Sequence, residues 1–369
     1  MLVTEKAVSP HNGATTYLLV DDQSFEPDSV ALQYMMALRG AGRSPHTIRA
    51  YLPRIAGFLN WCSVRGIDWT KIGITDMVRY KVLLEDAMTP RGALRTGKTV
   101  NAALTAVCEF LRFAAAHGHA DEAVASRLTH PRFLNYTPGA FDSGESGRFR
   151  NVRSRALRAP EIELAPELFS AEEEQILIAG GSNARDRFLL AVMLGSGMRI
   201  GEALGLHRED LHMLPDSRLL GCTVKGAHVH IRPRTDNANG ARVKGGRSRI
   251  VPLPGHVIER YSALVRERGD YKGDGSNFVF INRVGKFAGQ PMSYSNAKQI
   301  IERIGKRYGF RARPHMTRHT TATRWIREGT APDVVQALLG HVSQASTQIY
   351  VHASQQDMRQ AVDRLSAQG

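Results

Sequence analysis

Six side chains in the second half of the chain are of types that could act together on a phosphodiester. In chain order they are Arg199, Lys244, His315, Arg318, His341 and Tyr350. The guanidinium of an arginine is a planar fork of N–H donors that can bind two oxygens of one phosphate. His315 and Arg318 are three residues apart, so they share one face of a helix. If no metal ion activates water, the phosphodiester needs a protein nucleophile, and Tyr350 is the best candidate.

Each of these residues has a simpler interpretation when it is taken alone. Arg199 could pair with Glu202 on the next helical turn. His341, after a glycine, could complement the carbonyls at a helix end. Tyr350 lies between Ile349 and Val351 and could be a half-buried core residue. The argument for chemistry therefore rests on the set and not on any one member.

A zinc site is the main alternative for the paired histidines. His315 and His319 have the i, i+4 spacing of two zinc ligands on a helix. Met316, however, follows His315 where the HExxH pattern has its glutamate, and no third ligand is evident. Neither is there an Asp/Glu cluster for two-metal hydrolysis, so positive side chains must stabilise the charge. The sequence predicts no bound metal and no other cofactor.

Basic residues are concentrated around these motifs. From 303 to 327 the chain has eight Lys or Arg residues and no Asp or Glu: Arg303, Lys306, Arg307, Arg311, Arg313, Arg318, Arg324 and Arg327. Over all 369 residues, 49 Lys+Arg stand against 35 Asp+Glu, a formal net charge of +14. An excess of this size indicates a polyanionic partner, nucleic acid first and an acidic membrane surface second.

The apolar runs and cysteines argue against a membrane or secreted protein. The longest apolar run, Phe188 to Leu194, is far shorter than the ~18–20 residues of a spanning helix. The first 25 residues lack a secretory signal. Cys62, Cys108 and Cys222 are odd in number and have no CxxC spacing, which indicates a reducing compartment. We expect a cytoplasmic, nucleoid-associated protein.

The first half of the chain is predicted to be helical. Residues 1–25 carry little pattern and are predicted to form a tail, and residues 26–130 a helical DNA-binding domain. Ser44 followed by Pro45 is typical of an N-cap and a first helical residue. The candidate phosphate contacts of this domain are Arg43, Arg49, Arg91, Arg95 and Lys98.

Residues 131–168 are rich in Pro, Gly and Ser and are predicted to form a basic linker. Such a run does not fold alone and would follow a phosphate backbone, whereas a merely solubilising linker is the alternative. Its candidate DNA contacts are Arg148, Arg150 and Arg153.

Residues 169–353 are predicted to form a second domain, which opens on the capping box of Ser170 and Glu173. Its three short β-rich segments are Leu219–Val224, His228–Arg232 and Arg249–Leu253. The predicted fold class is therefore mainly α with a small antiparallel β-sheet (α+β). Residues 354–369 carry an apolar stripe at helical spacing, which predicts a C-terminal helix that docks on a neighbouring protomer or packs on its own domain.

The motifs that carry the six residues resemble the catalytic signature of the tyrosine recombinases, the phage integrase family. They read Gly-Met-Arg-Ile-Gly-Glu at 197–202, Lys-Gly-Gly-Arg-Ser-Arg-Ile-Val-Pro-Leu from 244, His-x-x-Arg-His-Thr-x-Ala-Thr from 315, and Leu-Gly-His followed by eight residues and Tyr350. The resemblance covers about 170–355. The region 27–118 is similar to the family's SAM-like core-binding domain.

The resemblance implies a recombinase that cuts and rejoins DNA without metal or ATP. Tyr350 would attack the scissile phosphate and form a 3′-phosphotyrosyl link. Arg199 and Arg318 would bind its non-bridging oxygens. His315 would assist proton transfer, and His341 would hydrogen-bond the phosphate.

The resemblance also implies that Lys244 is the general acid for the departing 5′-oxygen. The loop at 232–249 is longer than in the shortest family members, so Lys225 and Arg242 stay open as alternatives. Two residues would hold others in place: Glu202 would hold Arg199, and His319 would hold the helix that bears Arg318. Further DNA contacts are expected at Arg242, Arg247 and Arg313.

The implied partner is double-stranded DNA with specific recombination sites. A homotetramer would form on paired sites from protein that is monomeric when free, with accessory DNA-bending or directionality proteins as further partners and no membrane. The long loop, N-terminus and linker favour a mobile-element integrase or transposase. The alternatives are a type IB topoisomerase or telomere resolvase with the same chemistry, and a non-catalytic DNA-binding relative.

Overall fold

The computed structural model of the chain describes residues 1–8, 15–90, 92–133, 151–155, 157–161, 165–269, 271 and 275–340. These residues fall into two compact units, the described residues up to 161 and those from 165 onwards. Both units are mainly helical and carry small antiparallel sheets, which confirms the predicted fold class.

The first unit contains five helices around a shared apolar core. They are α1 (Ser29–Gly40), α2 (Pro45–Val64), α3 (Ile74–Asp86), α4 (Gly97–Ala116) and α5 (Glu122–Leu128). Ser44 caps α2 as predicted, because its hydroxyl accepts the Thr47 N–H at 3.3 Å. Within the described chain, α4 alone is long and apolar enough to cross a membrane, by length and composition. Much of it, including Leu104 and Phe110, is buried in the core of this unit.

The prediction of a tail over residues 1–25 is wrong. Strands β1 (Leu2–Val8) and β2 (Thr15–Asp21) pair antiparallel, with Leu2 opposite Asp21. The Asn60 side chain on α2 holds Leu2 through two hydrogen bonds of 2.8 Å, one to its N–H and one to its carbonyl. Leu19 is buried in the helical core, so this hairpin is part of the unit.

Parts of the predicted linker are ordered against the first unit. Strands β3 (Thr129–Phe133) and β4 (Asn151–Arg155) pair antiparallel. Further on, Ala159 is 2% exposed, and its N–H and carbonyl bond to the Asn101 side chain at 2.8 and 2.9 Å. Residues 157–161 are therefore fixed to α4 and do not form a free connection.

The second unit has seven helices and a three-stranded sheet. The helices are α6 (Ala171–Ala179), α7 (Ala184–Ser196), α8 (Ile200–Leu204), α9 (Gly255–Arg268), α10 (Tyr294–Tyr308), α11 (Pro314–Arg327) and α12 (Pro332–Leu339). The antiparallel strands, in spatial order, are β5 (Leu211–His212), β6 (His228–Ile231) and β7 (Arg249–Pro252). Its predicted capping box is confirmed, with Ser170 and Glu173 bonding each other's backbone N–H at 3.1 and 2.9 Å.

One predicted strand of this sheet is wrong. Leu219–Val224 is not extended, and the first strand is Leu211–His212 instead. Residues 218–220 form a 3-10 turn that ends at Gly221 with φ of 73°, and Leu219 is 98% exposed. Apolar residues suggested a strand there, but this segment has no partner strand to cover it in the described chain.

Helix α7 is the centre of the second unit. Its apolar run from Phe188 to Leu194 is at most 2% exposed, and the helix packs against α9 and α11. A helix that is apolar on every side must be surrounded by other elements. The segment that follows α7 is therefore placed on a rigid support, and that segment carries Arg199.

Candidate active site

The site begins where α7 ends. Gly197 takes a left-handed conformation, with φ of 62°, that few other residues adopt at low cost. A Cβ atom at Gly197 would lie 2.8 Å from Cδ2 of Leu339, so a side chain here would also push α12 away. Two residues later Arg199 occupies the N-cap position of α8. The turn thus brings Arg199 close to the end of α12.

A buried carboxylate holds Arg199. The side chain of Glu202 accepts the Arg199 backbone N–H at 2.8 Å and its Nη1 at 3.0 Å. Glu202 is only 2% exposed. Burial opposes its ionisation, but hydrogen bonds and charge from Arg249 and Arg199 outweigh burial and lower the pKa of the Glu202 carboxyl. An ionised Glu202 fixes both the backbone and the guanidinium of Arg199.

Arg249 is the second cationic partner of Glu202, and the sequence analysis gave it no role. Its Nη1 and Nη2 donate to the two carboxylate oxygens at 3.2 and 2.6 Å, a bidentate pair. Its Nε donates to the Leu338 carbonyl at 2.8 Å. Gly340, with φ of 66°, lies so close that a Cβ atom there would be 2.8 Å from Nη1 of Arg249. One residue therefore joins β7, α8 and the end of α12.

Arg318 lies on the other side of the same turn. It is 3% exposed on α11. Its Nη1 donates to the Gly197 carbonyl at 3.0 Å and its Nη2 to the Leu339 carbonyl at 2.8 Å. Two carbonyls on two elements fix the plane of this guanidinium. The structure thus brings Arg199, Arg318 and the residues just before His341 together.

The two histidines of α11 differ in environment. His315 is exposed in the first turn, and His319 is half-buried with its ring centroid 6.4 Å from that of His315. Burial, followed by the charges of His315 and Arg318, lowers the pKa of His319 below its usual 6.5. His319 is therefore neutral at pH 7.

The loop between β6 and β7 carries Lys244, which is exposed. The base of this loop is anchored, because Asn239 Nδ2 donates to the carbonyls of Leu204 and Met292 at 3.0 and 2.9 Å. The backbone of Arg242 lies against α8, where a Cβ atom at Gly201 would be 3.4 Å from its carbonyl oxygen. The long loop thus returns to α8 two residues before Lys244.

The remaining predicted contacts are scattered over both units. In the first unit Arg43, Arg49 and Lys98 are exposed, and Arg95 is half-buried. In the second unit the side chains of Arg242 and Arg247 are exposed on the β6–β7 loop.

Several members of the basic run at 303–327 have ion-pair partners within the described residues. Arg311 and Arg313 both pair with Glu167, Arg313 at 3.9 Å. Arg324 pairs with Glu174 at 2.7 Å, and Arg318 is buried. Several of these charges thus have local partners.

Five predicted site residues lie outside the described residues: Arg91, Arg148, Arg150, His341 and Tyr350. The described chain ends at Gly340, directly before His341. Arg153 lies in β4.

Two family models match the chain. The phage integrase family matches residues 166–357. The phage integrase N-terminal SAM-like domain matches residues 32–118. The matched segments lie in the second and first units respectively.

Among curated relatives, transposase A from transposon Tn554 of Staphylococcus aureus is 29% identical over 355 residues, covering 93% of this chain and 92% of that protein. Tyrosine recombinase XerD of Mycobacterium tuberculosis is 30% identical over 332 residues, covering 85% and 90%.

Solved structures share the fold. The Tn1549 transposon integrase in complex with a circular intermediate DNA aligns with a TM-score of 0.62 at 16% identity, covering 91% of this chain and 99% of that one. XerH site-specific recombinase bound to difH substrate aligns with a TM-score of 0.56 at 18% identity, covering 91% and 85%.

Proposed function

The chain belongs to the phage integrase family of tyrosine recombinases, which cleave and rejoin DNA, and we propose that it does so through a covalent bond between the DNA and Tyr350. The observation that carries this proposal is the arginine network. Glu202, which is itself paired with Arg249, holds Arg199. Arg318 is fixed between the turn before α8 and the end of α12. Two guanidinium groups are thereby held near the end of α12, which precedes Tyr350 in the sequence by about ten residues.

In the proposed reaction, the Tyr350 oxygen attacks the scissile phosphorus while the bond from phosphorus to the 5′-oxygen breaks. His315 takes the phenolic proton, and Lys244 gives a proton to the leaving 5′-oxygen. Arg199 and Arg318 bind the non-bridging oxygens, whose negative charge grows in the pentacoordinate transition state, and His341 adds a hydrogen bond. Attack of a 5′-hydroxyl from another strand reverses these steps and reseals the DNA.

The strand topology supports Lys244 as the acid. Lys225 precedes β6, at the end of the β6–β7 pair where His228 faces Pro252. Arg249, which contacts Glu202, lies at the opposite end. Lys244 is in the loop at that opposite end. Arg242 is near as well, but a guanidinium gives up a proton far less readily than an ammonium.

We propose duplex DNA with paired specific sites as the substrate, bound by four copies. The first unit would be the DNA-binding domain and the second unit the catalytic domain. The exposed side chains of Arg43, Arg49 and Lys98 would contact phosphates without reading sequence. The relatives that are named transposase and transposon integrase support recombination of a mobile element. We propose that this reaction takes place in the cytoplasm. We also propose that residues 354–369 dock on a neighbouring protomer. Deletion of these residues should then abolish assembly on paired sites.

A nicked suicide substrate tests the chemistry. We expect wild-type protein to become covalently attached to the DNA, and Tyr350→Phe to bind the same DNA without an adduct. An adduct formed at full yield by Tyr350→Phe contradicts the assignment of the nucleophile. Relaxation of supercoiled plasmids that lack paired target sites would instead indicate a topoisomerase.

A further inference from the structure

One face of the small sheet in the second unit is lined by histidines. Side chains alternate along a strand, so Val229 and Ile231 of β6 point into the core, where they are at most 1% exposed. His228 and His230 therefore point to the opposite face. On β5, His212 is the direct partner of His228 in the strand register. Cys222, on the segment between β5 and β6, completes the group and is 9% exposed.

The ligand atoms of these four residues converge. Cys222 Sγ lies 3.3 Å from His228 Nε2 and 3.5 Å from His230 Nε2, and the two Nε2 atoms are 3.1 Å apart. One nitrogen or sulfur atom from each of the four residues lies within 4.8 Å of all the others. In a tetrahedral zinc site with bonds of ~2.0–2.3 Å, neighbouring ligand atoms stand about 3.3–3.6 Å apart. Three of the four groups, with separations of 3.1, 3.3 and 3.5 Å, are already close to this spacing.

The hydrogen bonds around the cluster also fit a bound cation. His228 Nδ1 lies 2.7 Å from the Gly226 carbonyl, which can only accept, so Nδ1 carries the proton and Nε2 presents its lone pair to the cluster. Nδ1 of His212 is buried and has no hydrogen-bond partner among the described residues. Arg232, the nearby positive charge, pairs with Asp210 at 3.6 Å.

We propose that His212, Cys222, His228 and His230 bind one zinc ion. A set of three imidazoles and one thiolate suits tetrahedral Zn²⁺ better than Mg²⁺ or Ca²⁺, which prefer oxygen. Binding releases the thiol proton of Cys222 to solvent. Four protein ligands leave no open position for water or phosphate, so the site is structural and takes no part in strand cleavage. No metal was predicted from the sequence, because His315 and His319 have no evident third ligand and the three cysteines have no CxxC spacing.

The bound ion would join three segments that are otherwise connected by few backbone hydrogen bonds. β5 has only two residues and pairs with β6 over two positions. The ion ties β5 and the segment around Cys222 to β6. Because β6 leads directly into the loop that bears Lys244, and pairs with the strand that bears Arg249, the ion would stiffen the support of both residues.

The first test measures metal content in full-length protein purified without a histidine tag and without added chelator. We expect elemental mass spectrometry to find one zinc ion per chain. Replacement by Co²⁺ should give the visible bands of a tetrahedral ion and a thiolate-to-cobalt charge-transfer band. Absence of zinc, together with failure to take zinc from a chromophoric chelator, overturns the proposal, as does a cobalt spectrum without the thiolate band.

Two variants assign the ligands. Cys222→Ser and His230→Asn should each weaken zinc affinity by more than the ~10–100-fold that loss of an outer hydrogen-bond partner costs. Cys62→Ser is the matched control, since Cys62 is also a buried cysteine but lies in the first unit; it should bind zinc as wild type does. Equal zinc affinity in Cys222→Ser and wild type contradicts the site.

A third measurement separates this site from the proposed recombination. Removal of zinc from wild-type protein should lower the temperature of unfolding and leave Tyr350 as the attachment point of DNA. Loss of zinc binding would leave the recombinase assignment intact, and absence of a Tyr350 adduct would leave the zinc site intact.

Discussion

Two regions of the second unit supply positive charge to the candidate site, and they do so differently. Arg318 is 3% exposed as a residue, and the side chain of Arg249 is 9% exposed. Both side chains donate hydrogen bonds to backbone carbonyls. Lys244, Arg242 and Arg247 are exposed on the β6–β7 loop. Folding fixes the first set before DNA arrives. The second set is anchored only at the base of the loop, through Asn239, so variants of the two regions should fail in different ways.

Substitution in the exposed loop should affect chemistry alone. We expect Lys244→Ala to slow strand cleavage by ~10²–10⁴-fold, the usual contribution of general acid catalysis, with unchanged stability. A substrate with sulfur in place of the leaving 5′-oxygen should restore the rate, because a thiolate leaves without a proton. The measurement is the single-turnover rate of covalent adduct formation.

Two neighbouring variants make this prediction specific. Arg247→Ala, on the same loop, should bind DNA more weakly, but at saturating DNA it should cleave both substrates close to the wild-type rate, because Arg247 gives no proton to the leaving oxygen. If Lys225→Ala is slow and is rescued by sulfur while Lys244→Ala is not, the acid is Lys225 and the topological argument fails.

Substitution in the buried network should affect chemistry and stability together. Arg318→Lys keeps the charge but loses the fork that spans the Gly197 and Leu339 carbonyls. We expect cleavage to fall by ~10²–10³-fold, as for loss of one donor to a developing oxyanion. Arg324→Lys is the matched control on the same helix, since Arg324 also bonds a carbonyl, that of Leu194. Equal losses of activity in both variants would show that only helix packing is involved.

Substitution of Arg249 tests the buried network alone, because Arg249 does not contact the phosphate in the proposed reaction. Arg249→Ala leaves Glu202 with a single arginine in a buried position, and removal of one partner from a buried pair costs ~3–5 kcal/mol of unfolding free energy. Urea unfolding, with hydrogen exchange of α7 amides reporting on this unit, measures the loss. Arg247→Ala, two residues earlier and exposed, should change stability by less than ~0.5 kcal/mol. A similar small change for Arg249→Ala would mean that the network is not preformed.

Contacts within one element could be predicted from the sequence. The capping box of Ser170 and Glu173 depends on a spacing of three residues, and so does the pairing of Arg199 with Glu202. Local geometry fixes such contacts whatever the rest of the chain does.

Contacts between elements could not be predicted in this way. Arg249 bonds to residues 47 and 89 positions away, and no local pattern marks it among the basic residues of its loop. Likewise the hairpin of β1 and β2 depends on Asn60, 58 residues from Leu2. The alternation of His228 and His230 was visible, but only the pairing of β5 with β6 brings His212 to them.

The smallest expected effect concerns His319, at the border between the buried network and the exposed start of α11. Its pKa is lowered in the folded protein, so its contribution to stability is complete above pH 6.5 and is lost as the pH falls from 6.5 through the folded-state pKa. The slope from one group is at most ~1.4 kcal/mol per pH unit. His319→Gln should therefore lose less stability between pH 7.5 and 5.5, read from urea midpoints of zinc-saturated protein, because it has no imidazole to protonate beside Arg318. An equal loss of stability in His319→Gln and wild type would mean that protonation of His319 does not destabilise the folded protein.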